Sequence, residues 1–283
     1  MKYRITPLGL GAAAAIAVFP GTAGQAPAAP IVPGDLGSVP DRTALTFTDS
    51  NTGWSVGTAN QFAARPGLST VKLYIADFAL QHGDGSTTDR ELAERMIRFS
   101  DDGAASRLYA KYPNSIDGPA AQYGLTATSG AAFWGNSYTS TADTVRFLEV
   151  KKAQDPRSPI LGWMRDAAPA AADGTYQNWG TARLPGAEGT KWGWSDYGPP
   201  VVNSATIGNG YSVAAATNGT AADQTTDVLR AFGPAPQPSP TVPLRDVVAD
   251  VVATQFPGDP LGGWVVDAVP SDILVVSAPI EGP

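Results

Sequence analysis

Apolar and polar positions change spacing along this chain in a way that separates strands from helices. Residues 44–49 and 54–57 form two short β-type runs around Ser50-Asn51-Thr52-Gly53, a turn signal, so a hairpin is predicted to start the folded body. Pro66 and Gly67 then introduce 69–80, where Leu73, Ile75, Phe78 and Ala79 suit a largely buried helix. More helical spacing follows. Thr88 or Asp89 is placed to cap a helix over 91–99, 104–112 continues helically, Val145, Leu148 and Lys152 recur over 142–152, and 160–168 is read as a further helix. Strand character returns at 189–194, 201–207 and 211–217, with Asn209-Gly210 marking a tight hairpin between the last two, and 225–232 reads as a closing helix. Two strands, a helical block, three strands and a helix predict an α+β fold. Its mainly antiparallel five-stranded sheet is flanked by helices, with a helical subdomain inserted over about 69–185.

Segments of different composition bracket this body, which spans 44–233. Residues 29–43 are a Pro-rich lead and 234–243 a Pro-rich linker. In the tail, 244–283, Leu244, Val247, Val248, Val251, Val252 and Phe256 share one helical face, so an amphipathic helix is expected to dock somewhere; 261–269 and 273–276 are read as short strands. Residues 1–28 read as a secretory signal peptide: Lys2 and Arg4 precede an apolar, Ala-rich stretch from Leu8 to Phe19, and small residues follow. The apolar stretch is short for a membrane span, so export is expected, an uncleaved anchor being the other reading. Heavy Ala, Gly and Pro usage with few Lys suggests a bacterial source.

Composition narrows the chemistry. With 43% hydrophobic and 16% charged residues in 283, the chain can bury a large core. A net charge of -7 argues against nucleic acid as a partner, since clustered Lys and Arg are what neutralise phosphates. No Cys is present, which removes disulfides, thiolate nucleophiles and Cys-ligated zinc; the one His, His82, sits in a loop-like stretch. A hydrolytic nucleophile here therefore needs a base other than His. No metal, nucleotide or haem is expected, because neither a phosphate-cradling loop nor a calcium-loop pattern occurs.

Ser69-Thr70-Val71-Lys72 supplies such a base. A Ser and a Lys three apart at a helix start lie on one face, and an amine of lowered pKa can take the hydroxyl proton. Alone, the spacing is more simply that of a solvated helix lysine. Ser100-Asp101-Asp102 ends one helical segment and precedes another, so it reads either as a proton relay or as a set of capping residues. Lys191-Trp192-Gly193-Trp194 opens the returning sheet, where Gly193 permits close approach of a ligand or backbone, the other reading being an edge strand with a solvated Lys.

In this order the three elements resemble the signature of the penicillin-recognising serine enzymes, which comprise penicillin-binding proteins, D,D-peptidases and serine β-lactamases. The flanks are similar to class A β-lactamases: Met96-Ile97 and Ala104-Ala105 around the second motif, and Asp196-Tyr197-Gly198 after the third. The resemblance covers about 44–233 and implies Ser69 as acylated nucleophile, Lys72 as its base, Ser100 as proton shuttle and Lys191 as electrostatic partner of Ser100 and of a substrate carboxylate. It implies an oxyanion hole from the N–H groups of Ser69 and Trp194, with Asp102, Asn136, Trp192 and Gly193 at the substrate.

Departures from the family pattern are specific. Class A enzymes place a deacylating Glu on a loop after the second motif, whereas here no Glu occurs between Ser100 and Glu149, and Asn136 is read as what remains of that loop. Trp192 replaces a small hydroxyl residue, which is expected to put an indole in or near the groove. Asp102 replaces Asn and is expected to raise the pKa of Lys72. No helix is evident ahead of residue 44, and the 244–256 helix is expected to cover the surface that such a helix would. Two functional classes follow. One is an exported Ser-Lys acyl-transfer enzyme of the cell envelope acting on a small molecule, such as a β-lactam or ester, or on peptidoglycan-derived peptide. The other is a catalytically silent relative that binds wall fragments or a protein partner.

Overall fold

The hairpin signalled by Ser50 to Gly53 forms as β1 (Thr43–Asp49) and β2 (Ser55–Gly57), with Phe47 opposite Val56. The computed structural model describes residues 31–233, 241–257, 262–270 and 273–276. The expected signal peptide, the start of the lead and most of the linker lie outside the described residues. After β2 come β3 (Arg65–Pro66), α1 (Lys72–His82), α2 (Thr87–Arg98), α3 (Asp102–Lys111), α4 (Asp117–Tyr123), β4 (Tyr138–Thr139), α5 (Thr141–Gln154) and α6 (Pro159–Arg165). The chain then returns through β5 (Ala187–Trp194), β6 (Val201–Gly208) and β7 (Tyr211–Asn218), and α7 (Ala221–Phe232) closes it. The fold is α+β, with one five-stranded antiparallel sheet in the order β2-β1-β7-β6-β5.

Period-two alternation assigns the two faces of this sheet. Leu45, Phe47, Val213 and Ala215 face α7, where Val228 and Ala231 complete one core. Ala205, Ile207 and Ala214 face the helical insert and join the larger core built by α1, α2, α3, α5 and α6. Helix α1 lies inside that core, with Leu73, Tyr74, Ile75 and Ala76 all inaccessible. Burying a side chain such as Leu73 or Ile75 contributes about 1.5–3 kcal/mol.

Several boundaries differ from those expected, for local reasons. The segment over 69–80 begins as a 3-10 turn, Leu68–Val71, and becomes α-helical only at Lys72. Ser86, not Thr88 or Asp89, caps α2, its hydroxyl accepting from Asp89 N at 3.2 Å. A capping box between Thr220 and Asp223 starts α7 four residues before the expected 225. Helix α4, with Gly118 and Pro119 inside it, has no sequence signature.

In the tail, β8 (Thr241–Pro243) pairs with β9 (Leu274–Val276), and α8 (Leu244–Gln255) packs against α9 (Gly262–Asp267). The strand expected over 261–269 is thus a helix in its described part, because packing on α8 outweighs the β propensity of Trp264-Val265-Val266. Nor does α8 use its apolar stripe to cover the main domain. Its partner is α9, and Val247, Val251 and Phe256 stay 38%, 50% and 59% exposed.

Candidate active site

Close approach of β5 to the 3-10 turn builds the site. A Cβ on Gly193 would stand 2.7 Å from Ser69 N and 2.9 Å from Leu68 Cβ, so only glycine lets this strand lie against the Ser69 backbone. Asn203, opposite Gly193 on β6, donates its Nδ2 to the carbonyls of Pro66 (2.8 Å) and Gly67 (3.1 Å) and ties the turn to the sheet. Two non-glycine residues hold left-handed backbone, Leu68 (φ 49°) beside Ser69 and Ser100 (φ 52°) on the opposite wall. Each such conformation costs on the order of 1–3 kcal/mol, and such residues cluster at functional sites.

Ser69, Lys72, Ser100 and Lys191 come together. Lys72 Nζ donates to Ser69 Oγ at 2.8 Å, to the Ser100 carbonyl at 2.7 Å and to Ser100 Oγ at 3.3 Å, and it pairs with Asp102. Lys191 Nζ donates to Ser100 Oγ at 2.8 Å and to the Trp192 carbonyl at 2.8 Å. Neither lysine is solvated, since both side chains are inaccessible. The Trp134 ring lies 4.5 Å from Lys72 Nζ, and its own Nε1 donates to Ser106 Oγ at 3.0 Å.

Burial governs the electrostatics. Desolvation lowers the Lys72 pKa, and Asp102 pulls the other way without reversing it. Burial, reinforced by the charge of Lys72, holds the Lys191 amine well below the ordinary lysine value, again opposed by Asp102. The rise expected from the Asp102 substitution is therefore present as a contribution but not as the net outcome. Asp102's side chain is 59% exposed, so solvent weakens its grip on an amine that has lost all of its water.

Ser69 opens onto a cleft of about 350 Å³ whose walls include Asp102, Trp134, Asn136 and Trp194. Trp192 is not among them. Lys191 and Gly193 face Ser69, so alternation sends the intervening side chain through to the other side of the sheet. There Trp192 packs with Trp179 and Val202, 6% exposed, and donates Nε1 to the Trp179 carbonyl at 3.0 Å. Its expected place in the groove is thereby corrected, and the strand offers no hydroxyl there in its stead.

Three acidic residues that follow the second motif are engaged elsewhere, whereas Asp173 reaches the cleft wall, where it accepts from Trp194 Nε1 at 3.2 Å. Glu149 accepts from Ser50 Oγ (3.0 Å) and pairs with Lys152 (2.7 Å). Asp143 accepts from Ala127 N and Thr128 Oγ1, and Asp117 from Gly130 N. Asp101 caps α3 through Ala104 N at 2.9 Å, as the capping reading allowed. Sequence reasoning missed Leu68, Asn203 and Phe133. None of the three had a usable signal: Asn203 stands opposite Gly193 through the pairing of β5 with β6, which the 209–210 hairpin between β6 and β7 does not set.

The architecture matches known structures. The chain is similar to a β-lactamase from Chitinophaga pinensis (TM-score 0.56, 14% identity, 70% of this chain and 93% of that one). It is also similar to a β-lactamase from Streptosporangium roseum (TM-score 0.51, 18% identity, 67% and 90%). A third similar structure is penicillin-binding protein D2 from Listeria monocytogenes in its cefotaxime-bound form (TM-score 0.50, 18% identity, 65% and 92%). No family model matches the sequence, and no curated protein does. The chain therefore has the fold of the penicillin-recognising serine enzymes. The likeness is one of backbone, at 14–18% identity.

Proposed function

We propose that the protein is a Ser-Lys acyl-transfer enzyme that forms an acyl-enzyme at Ser69. The observation that carries this reading is the unbroken hydrogen-bonded chain Ser69 Oγ, Lys72 Nζ, Ser100 Oγ, Lys191 Nζ at the floor of an open cleft. Neutral Lys72 takes the Ser69 proton as Oγ bonds to the substrate carbonyl carbon. The N–H groups of Ser69 and Trp194 hold the resulting oxyanion. When the bond to the leaving nitrogen or oxygen breaks, Ser100 gives that atom its proton and recovers one from the Lys72 ammonium, while Lys191 steadies the Ser100 oxygen. Gly193 keeps the strand close, and Asn136 and Asp102 border the acyl group.

The acyl donor is a small β-lactam or ester, or peptidoglycan-derived peptide, and the protein acts after export to the bacterial cell envelope. The leader-like residues 1–28 support export, and no helix of the described residues is long and apolar enough to cross a membrane. With no Glu between Ser100 and Glu149 to activate water, deacylation is slow and the acyl-enzyme accumulates. A second reading, a silent relative that binds wall fragments or a protein through the cleft, draws on the Asp102–Lys72 pair, which favours a charged lysine.

Intact-mass analysis after incubation with a penicillin and with an activated ester separates the two. An adduct on Ser69 that is lost in Ser69→Ala and in Lys72→Ala supports the enzyme. Absence of an adduct with every donor supports the silent relative.

A further inference from the structure

Charge and aromaticity are distributed unevenly around the cleft. Phe133, Trp134, Trp194 and Tyr197 line it together with two carboxylates, Asp102 and Asp196, and the described lining contains no Lys, Arg or His. A third carboxylate, Asp173, accepts from Trp194 Nε1 at 3.2 Å at the same wall. The two lysines beneath are inaccessible, and their protons are committed to Ser69, Ser100, Asp102 and the Trp192 carbonyl. The hydroxyl of Ser195, just past the end of β5, accepts from Val201 N (3.0 Å) and donates to the Pro199 carbonyl (3.4 Å). A substrate carboxylate would thus enter beside other carboxylates with little to pair with. Aromatic faces flanked by carboxylates are the surroundings that attract a weakly hydrated cation.

We propose that the cleft takes acyl donors carrying a cationic group, such as a quaternary ammonium, on the acyl chain. The group lies between Asp196 and the faces of Phe133 and Tyr197 while the carbonyl reaches Ser69. This specificity rests on the acyl-transfer reading, but the charge preference of the cleft can be measured without it.

Three p-nitrophenyl esters of equal chain length test the idea, ending in trimethylammonium, in its neutral tert-butyl isostere, or in carboxylate. The expected order of kcat/KM is cation, neutral, anion, with about tenfold between neighbours that narrows as salt is raised. Asp196→Asn should shrink the ratio of cation to neutral, and Asp196→Lys should invert it. A carboxylate ester that reacts as fast as the cation, or a ratio indifferent to both variants, overturns the proposal. Should no ester acylate Ser69, the enzyme reading fails by itself. Tryptophan fluorescence of Ser69→Ala, titrated with benzyltrimethylammonium and with benzoate, still decides the charge preference. Saturable quenching by the cation alone supports it, and quenching by benzoate or by neither refutes it.

Discussion

Replacing Asp102 by Asn tests how burial and charge share control of Lys72, the proposed base. Asp102 contacts Lys72 Nζ yet is 59% exposed, whereas the lysine is inaccessible. For a contact separation of about 3 Å, Coulomb attraction is about 1.4 kcal/mol at the permittivity of water and about twice that at half the permittivity. Exposure favours the lower figure, which corresponds to roughly one pH unit. The sign follows from the charge: a carboxylate stabilises the ammonium, so removing it lowers the Lys72 pKa further and raises the neutral fraction at any pH below it. A stopped-flow pH profile of Ser69 acylation should therefore rise along a limb set by Lys72. In Asp102→Asn that limb should lie about one unit lower, giving about tenfold faster acylation on its acid side. The Asn amide also has hydrogen-bonding capacity to stay on α3 without a charge. An unmoved limb, or one displaced upward, refutes the assignment of Lys72 as the titrating base.

Two other substitutions probe the sheet. Gly193→Ala inserts a Cβ 2.7 Å from Ser69 N, where only backbone can yield, so acylation should fall about 100-fold and stability in urea should drop by about 1–3 kcal/mol. Retained acylation would mean that the contact between strand and turn is not needed. Trp192→Phe removes the Nε1 bond to the Trp179 carbonyl on the far face, so stability should drop by about 1–2 kcal/mol in urea titration. Acylation should stay within about twofold, and a large change there would return Trp192 to the cleft.

Much of the fold could be read because the cues are local. The 50–53 turn, the Asn209-Gly210 hairpin with Gly210 at φ 77°, and the alternating runs 189–194, 201–207 and 211–217 each act within a few residues. Helix α9 could not be read, since its residues favour strand and only contact with α8 decides otherwise. The misplacement of Trp192 had a remedy in the sequence. Once Lys191 and Gly193 are set on one face of a strand, the residue between them belongs to the other.

Spacing along the chain by itself determined which residues are candidates: Ser69 with Lys72 on one helical turn, Ser100 before a capping aspartate, and Lys191 beside a glycine in a strand. Only the tertiary structure decided what those residues are chemically. Ser100 meets Lys72 across 28 positions and Lys191 across 91. Lysine is an ordinary cation in water, and it becomes a plausible base only when distant segments close over it and strip its solvent. That desolvation comes from the packed whole and is not written in any one segment.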